Sequence, residues 1–458
     1  MIPADPVPVA ALSASDRLAA FVADYSYEAI PPAVRHEARR SLLNMFATAF
    51  AGACDPAIES LWGALAPFCG PQVATQIGRG GRVDAPTAAF LNAAAANVFD
   101  FDDTHPGTVI HPTAPVAPAL LALAELRPDG RVMSGRDFLA AFILGVEVEC
   151  RIGNAVSPGH YARGWHITAT CGVFGAAAAS GRALGLDALR VRDAFGHAAA
   201  QACGLVEALG TPAKSFGVGN SARNGLISAF AARNGAYGPA RPLDGERGFL
   251  NLTCDDPRPE DLTVGLGETW EVAKNTYKPY PSGVVLHPVT DACLALRAAP
   301  GFDVSAIAEI VVRGHPLLRQ RTDRPHVSTG REAQVSAHHT VAAALLDGAA
   351  GLAQYTTARV CDPALQALRA KVRMEDDPAM EVEAAVVSLR FADGRTVTEV
   401  VAHALGSRGR PLSDGDLEHK LRTLAPLAEG CAPDALIDAV WSLEELPDAA
   451  TLLRHARP

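Results

Sequence analysis

Apolar positions recur at helical spacing along most of the first 270 residues. Ser15 to Tyr25, Ala33 to Ala51, Thr87 to Val98, Ala114 to Leu126, Gly135 to Val156, Ala169 to Leu184 and Leu186 to Ala208 each predict a helix. Ser13 with Asp16, and Asp187 with its neighbours, supply start signals. Small residues return every three or four positions, so these helices are expected to approach closely. Near Val272 the period changes. Ser305 to Gly314 is β-like, and Glu381 to Ala404 reads as two strands joined by the turn Ala392-Asp393-Gly394-Arg395. Around them Pro288 to Ala298, Val335 to Leu352 and Asp362 to Val372 predict helices, and Asp414 to Leu424 and Pro433 to Ser442 resume the first pattern.

The pattern describes a mainly α chain. A large all-helical domain is built from both chain ends (1–271 and 406–458), with a smaller α+β domain over 272–405 between them. At 458 residues two domains are the expectation. The Pro-rich first dozen residues are expected to be frayed or to form an arm on a partner subunit.

Composition narrows the function. A net charge of −10 with no basic block argues against nucleic-acid binding. Nine dispersed cysteines without a C-x-x-C pair read as reduced intracellular thiols, mostly buried. The N-terminus lacks a basic region followed by an apolar core, and runs such as Phe138 to Val146 are too short for a bilayer. A cytoplasmic protein with no membrane association is expected. Of 40 basic residues only five are lysines: Lys214, Lys274, Lys278, Lys371 and Lys420. Against that arginine bias, a lysine in a polar, glycine-rich setting looks selected, because lysine is a compact charge that can also move protons.

Five segments concentrate polar groups. Asp100 to Pro112 (DFDDTHPGTVIHP) carries three carboxylates, two histidines and two threonines between two apolar helical runs. Ionised Asp and His are costly to bury unless paired or used, and loops on rigid helices often carry function. A solvated turn with Asp N-caps fits the same residues. In Gly164 to Thr170, His166 precedes an Ala/Gly-rich helix whose N-terminus favours an anion, although a capping or core histidine also fits. Gly210 to Gly225 (GTPAKSFGVGNSARNG) offers Lys214 and Arg223; it reads as a helix–helix loop or as an anion-binding loop before a helix. Lys274 to His287 (KNTYKPYPSGVVLH) stiffens Lys278, Tyr280 and Ser282 with two prolines at the domain boundary, as a linker or a rigid hinge. Ser336 to His339 starts a helix, and its adjacent histidines cannot share one direction.

No zinc, EF-hand, nucleotide-loop or serine-hydrolase motif is present in the sequence. The D-F-D-D acids offer Mg²⁺ ligands, but the reading assigns no metal and no cofactor. Acids, bases and lysines without a cofactor motif suit proton transfer beside a carboxylate, with cations or donors to stabilise an enolate-like state. The expected ligand is a small anionic carboxylate.

The chain resembles the MmgE/PrpD family, which includes 2-methylcitrate dehydratase, cis-aconitate decarboxylase and iminodisuccinate epimerase. The resemblance rests on DFDDTHPGTVIHPTAPVAPALLALAE, GWHITAT, the Lys214 loop, GNSARNGLISAF, KPYPSGVVLHPVTDA and VAAALLDG, in that order from about Ser15 to Leu446. It implies an all-helical domain plus an α+β lid, a homodimer, a site between the domains and no metal or organic cofactor. Carried across by position, the family pocket corresponds to Asp100, Thr104, His111, His166, Lys214 and Lys278. His111 is then the proton-transfer group, oriented or charged by Asp100. Lys214 and Lys278 bind substrate carboxylates and either can donate a proton, while His166 and Thr104 hydrogen-bond the substrate. Tyr280, Ser282 and His339 join the substrate-binding set.

Two departures bear on the reaction. Decarboxylase-like members carry a histidine shortly after the motif lysine, where this chain has Ser282 and Gly283. Many relatives have a tyrosine where it has His338 and His339. The expected activity is a cofactor-independent lyase, a dehydratase or decarboxylase of a small di- or tricarboxylic acid. The alternatives are an epimerase or isomerase of a related amino or imino acid, and a non-catalytic binder of an anionic metabolite.

Overall fold

Helix starts in this chain are built from side chains that satisfy the first free backbone N–H groups. Ser13 and Asp16 form a reciprocal capping box for α1 (Ala14–Asp24). Pro32 occupies the first position of α2 (Pro32–Gly52), and Asp55 caps α3 (Pro56–Leu65). Asp84 accepts from Thr87 N to start α4 (Ala85–Asn97). Then come α5 (Thr113–Leu126), α6 (Gly135–Val156, capped by Ser134), α7 (Ile167–Ala183) and α8 (Ala188–Ala199, capped by Asp187). Helix α9 (Pro212–Arg233) is capped by Thr211. The computed structural model describes residues 12–457, so the proline-rich stretch read as an arm lies outside the described residues.

The chain divides into two compact units. The first holds the described residues up to Val98, Asp102–Asn275 and the described residues from Asp414 on, including the helices Asp414–Leu424 and Pro433–Trp441. Its apolar centre joins Leu18 and Val22 of α1, Val148 and Ile152 of α6, Val173 and Phe174 of α7, and Val191 and Phe195 of α8. A two-stranded hairpin, β1 (Ala74–Thr75) with β2 (Arg82–Val83), precedes α4.

Two expectations fail here. Gly210 to Gly225 is not a loop: all but its first two residues lie inside the 22-residue helix α9. The glycines read as loop signals are contact points. A Cβ on Gly219 would meet Phe90 O of α4 at 2.8 Å, and one on Gly225 would meet Ala176 Cβ at 2.5 Å and Val173 O at 2.7 Å on α7. Close packing therefore outweighs the propensity cost of glycine in a helix. The run Leu186 to Ala208 is not one helix either. It stops at Ala199, and Gly204, at φ 142°, turns the chain onto Ala169 before a short 3₁₀ turn at Val206–Ala208.

The second unit comprises Thr276–Ser413 with Phe99–Phe101. Its sheet has the order β4-β3-β5-β6, from β3 (Ile307–Gly314), β4 (Val372–Asp376), β5 (Ala385–Phe391) and β6 (Thr396–Val401). Strands β3 and β4 are parallel, and the other pairings are antiparallel. Helices α10 (His287–Ala298), α11 (Ala337–Asp347) and α12 (Pro363–Arg369) share an apolar core with it, through Val289, Leu345, Leu365, Ile310 and Val387. The helix predicted over Asp362 to Val372 ends at Arg369, and Val372 instead opens β4. That strand, V-R-M-E-D, is defined by pairing with residues 62 positions earlier, which no local period reveals. Similarly, α11 stops at Asp347 because Gly348 takes φ 71°. The unit runs on to Ser413, beyond the boundary expected at Leu405, because Leu405 N and Arg410 both bond Asp291 of α10.

Four of the nine cysteines are buried, fewer than expected, and none is disulfide-bonded. No helix among the described residues is long and apolar enough to cross a membrane.

Candidate active site

The polar loop after α4 is folded by its own side chains. His105 N donates to Ile110 O at 2.8 Å, and Val109 N donates back to His105 O. The buried His105 ring meets Thr108 Oγ1 at 2.8 Å and Glu271 Oε2 at 3.0 Å. Burial works to raise the Glu271 carboxyl, but hydrogen bonds from His105 and Lys274 hold it at about 2. Glu271 N in turn donates to Glu147 on α6, which Arg151 grips at 2.6 Å. His105, two positions after the acids, is thus a loop anchor. Asp100 and Val109 take φ values of 53° and 56°, a region that disfavours β-branched residues and often marks functional loops.

Above that anchor, the same unit gathers Asp102, Asp103, Thr104 and His111, all buried. His111 Nδ1 lies 2.8 Å from the main-chain oxygen of Asp103, 3.3 Å from Asp102 Oδ1 and 3.4 Å from Thr104 Oγ1. A carbonyl can only accept, so Nδ1 carries the proton and the lone pair resides on Nε2. Thr168 Oγ1, in the first turn of α7, accepts from His111 N at 3.1 Å. Asp102 Oδ2 accepts from Asn97 Nδ2 at 2.7 Å, at the end of α4. Asp103 Oδ2 accepts from Thr113 Oγ1 and from Asn275 Nδ2. Burial, with Asp102's charge adding to it, pushes the Asp103 carboxyl up to about 7.

Two further predicted residues belong to this unit. His166 is the buried N-cap of α7, and its N–H donates to Gly204 O at 3.0 Å. Lys214 is the third residue of α9 and is also buried. A cation in a first helical turn opposes the helix dipole, and burial adds a desolvation cost. A buried ammonium there gains most when an anion is beside it. Its neighbour Ser215 donates to Asn97 Oδ1 at 3.4 Å.

The second unit carries the rest of the set. Lys278 Nζ, buried, donates to Asp100 Oδ2 at 2.8 Å and to Asp100 O at 2.9 Å. Tyr280 OH donates to Asp291 Oδ1 at 2.6 Å, and burial beside that carboxylate pushes the phenol up. Ser282 is fully buried. His339 is also buried; its Nε2 donates to Gln354 O at 2.8 Å, its ring packs on Tyr355 at 5.5 Å, and burial lowers its proton affinity. His338 turns the other way, to Asp323 Oδ1 at 2.8 Å, as adjacent helical residues must. His339 is thus tied to its own unit through Nε2, while its buried Nδ1 makes no hydrogen bond among the described residues.

Sequence reasoning passed over Asn97, Thr168, Asn275 and Tyr355, and quoted Asp102 without giving it a task. One signal was available: Asn92 and Asn97 are the polar breaks in an otherwise alanine-rich run. Thr168, Asn275 and Tyr355 carry no such local mark.

Both parts of the chain match one protein family. The MmgE/PrpD N-terminal domain matches residues 16–262 and the MmgE/PrpD C-terminal domain matches 280–444. The chain belongs to the MmgE/PrpD family. It is 32% identical to a cis-aconitate decarboxylase of Mus musculus over 80% of this chain and 77% of that protein. It is 31% identical to the Homo sapiens cis-aconitate decarboxylase over 81% and 80%. A cis-aconitate decarboxylase of Aspergillus terreus is 30% identical over 93% of this chain and 92% of its own length. These MmgE/PrpD relatives are enzymes of the lyase type.

Proposed function

We propose that this chain is a lyase acting on a small di- or tricarboxylic acid by proton transfer beside a carboxylate, with His111 as the proton-transfer group. The observation that carries it is the fixed tautomer of His111. Its Nδ1–H is committed to Asp103 O, so Nε2 is the atom able to take or give a proton. Lys214 and Lys278 supply compact positive charge for the substrate carboxylates, and Thr104 and His166 supply hydrogen bonds. Asp100, held by Lys278, keeps that ammonium placed and charged. Tyr280, Ser282 and His339 join the binding set.

Two eliminations fit these groups. In decarboxylation a C–C bond breaks, CO₂ leaves, and the electron pair stays on the carbon skeleton until a proton closes it. In dehydration a C–H proton is removed, its electron pair forms the double bond, and the hydroxyl departs with a proton as water. Either route passes through negative charge beside a carboxylate, which the lysines stabilise. The names of the relatives make cis-aconitate the first acid to assay.

A second reading is kept by one observation. Ser282 and Gly283 stand where decarboxylase-like members carry a histidine. Without that group, proton exchange at one carbon with no elimination, as in an epimerase, is chemically available. Proton NMR in D₂O with 2-methylcitrate, citrate, cis-aconitate and an iminodisuccinate-type amino diacid separates the readings. Loss of water or CO₂ from one acid is expected. Deuterium wash-in without elimination would replace the lyase by an epimerase, and no change in any of the acids would sink both.

A further inference from the structure

Asp102 is the acid of the D-F-D-D run to which neither the motif nor the family correspondence gives a task. It is 1% exposed, and its two oxygens are treated very differently. Oδ2 accepts from Asn97 Nδ2 at 2.7 Å. Oδ1 is sealed from solvent, accepts no hydrogen bond among the described residues, and lies 3.3 Å from His111 Nδ1. A buried carboxylate oxygen without a donor is costly. That cost falls when the imidazole beside it takes a second proton and becomes a cation. The contact is thus worth more in one protonation state of His111 than in the other, which a purely structural contact would not be.

The support behind Asp102 has a direction. Ser215 Oγ–H donates to Asn97 Oδ1 at 3.4 Å, which leaves the Asn97 amide nitrogen facing Asp102. Asn97 is the last residue of α4 and Ser215 follows Lys214 in the first turn of α9. All of these residues are buried. The row Ser215–Asn97–Asp102–His111 therefore runs from the helix turn that carries Lys214 to the imidazole.

We propose that Asp102 and Asn97 are positioning residues for the reaction: Asp102 stabilises the protonated form of His111, and Asn97 fixes Asp102 and ties it to the Lys214 turn. This rests on the reading of His111 as the proton-transfer group. Other titratable groups on this loop are Asp100, Asp103 and His105, and His166, Lys214 and Glu149 lie on or at the start of helices of the same unit. Of these, Asp103 turns its own carboxyl to Thr113 and Asn275, leaving its main-chain oxygen for the ring.

The test compares wild type, Asp102→Asn and Asn97→Ala in two measurements. In the first, the His111 imidazole is titrated by NMR and assigned with His111→Gln. Removing the Asp102 charge should lower its proton affinity by about one pH unit or more, and Asn97→Ala, which releases Asp102 from its place beside the ring, should move it in the same direction by less. In the second, the pH profile of kcat is recorded on the turned-over acid. The His111-dependent limb should move to lower pH in Asp102→Asn, kcat should fall roughly 10- to 100-fold, and KM should change little. An unmoved titration in both variants would overturn the proposal, whatever happens to the rate. A shifted titration with no activity in wild type would uphold the coupling and fail the functional reading instead. If Asp102→Asn does not fold, Asn97→Ala alone decides, because it keeps the carboxylate but removes the bond that fixes it beside the ring.

Discussion

In the proposed reaction His111 transfers the proton and the two buried lysines, Lys214 and Lys278, supply charge. Replacing Lys214 or Lys278 with Ala should lower kcat/KM by at least about 100-fold while circular dichroism and thermal unfolding stay close to wild type. Near-normal turnover in both variants would remove the lysines from the site. His111, His166, Lys214 and Lys278 stand out in the sequence because each is a polar group among small or proline residues, and the fold buries all four. Asn97, Thr168, Ser215 and Asn275 do not stand out in this way. Each is an ordinary helix-end or loop residue whose importance comes from a partner far away in the chain, such as Asn275 to Asp103.

At the scale of elements, glycine decides how closely α4, α7 and α9 approach, whereas Gly63 has no packing role. Gly225→Ala places a Cβ against the α7 backbone, and despite the better helix propensity should destabilise by about 1–3 kcal/mol. Gly63, inside α3, meets nothing within 4 Å, so Gly63→Ala should stabilise by about 0.5–1 kcal/mol. Urea unfolding of the two variants checks both signs. This contrast explains why α9 was misread. The glycines at 217, 219 and 225 look like loop punctuation until the neighbouring helix is known. Helices α6 and Asp414–Leu424, whose amphipathic period is uninterrupted, were read with their observed ends. Strands β5 and β6 were recognised from their Val-rich runs and the Asp-Gly turn, whereas β4 depends on a distant partner.

Several buried acids make the stability of the whole molecule depend on pH. Burial pushes Asp103 and Glu147 up to about 7 in the fold, from ordinary values of 3.8 and 4.5. Through these two acids the folded state binds more protons than the unfolded chain between about pH 4 and 7, and their contribution to stability falls as pH rises through that window. Glu271, held at about 2, acts oppositely: its contribution is complete above 4.5 and is lost as pH falls toward 2. Buried His160, held down to about 4, opposes the acids up to about pH 6.5, so Tm should decline from about pH 6.5 to about pH 8, and Glu147→Gln should flatten that decline. A wild-type Tm that rises from about pH 6.5 to about pH 8 would contradict the burial argument.

The mainly helical chain and its α+β portion followed from the change in hydrophobic period, and the family match spans both regions in one order. The proposed reaction is tested most directly by turnover. The measurement is turnover of cis-aconitate and the related acids by wild type and His111→Gln in D₂O, with substrate affinity measured alongside. Elimination by wild type, and a loss of at least about 100-fold in His111→Gln with binding retained within a few-fold, is the predicted result. Elimination by His111→Gln at near the wild-type rate would contradict the account.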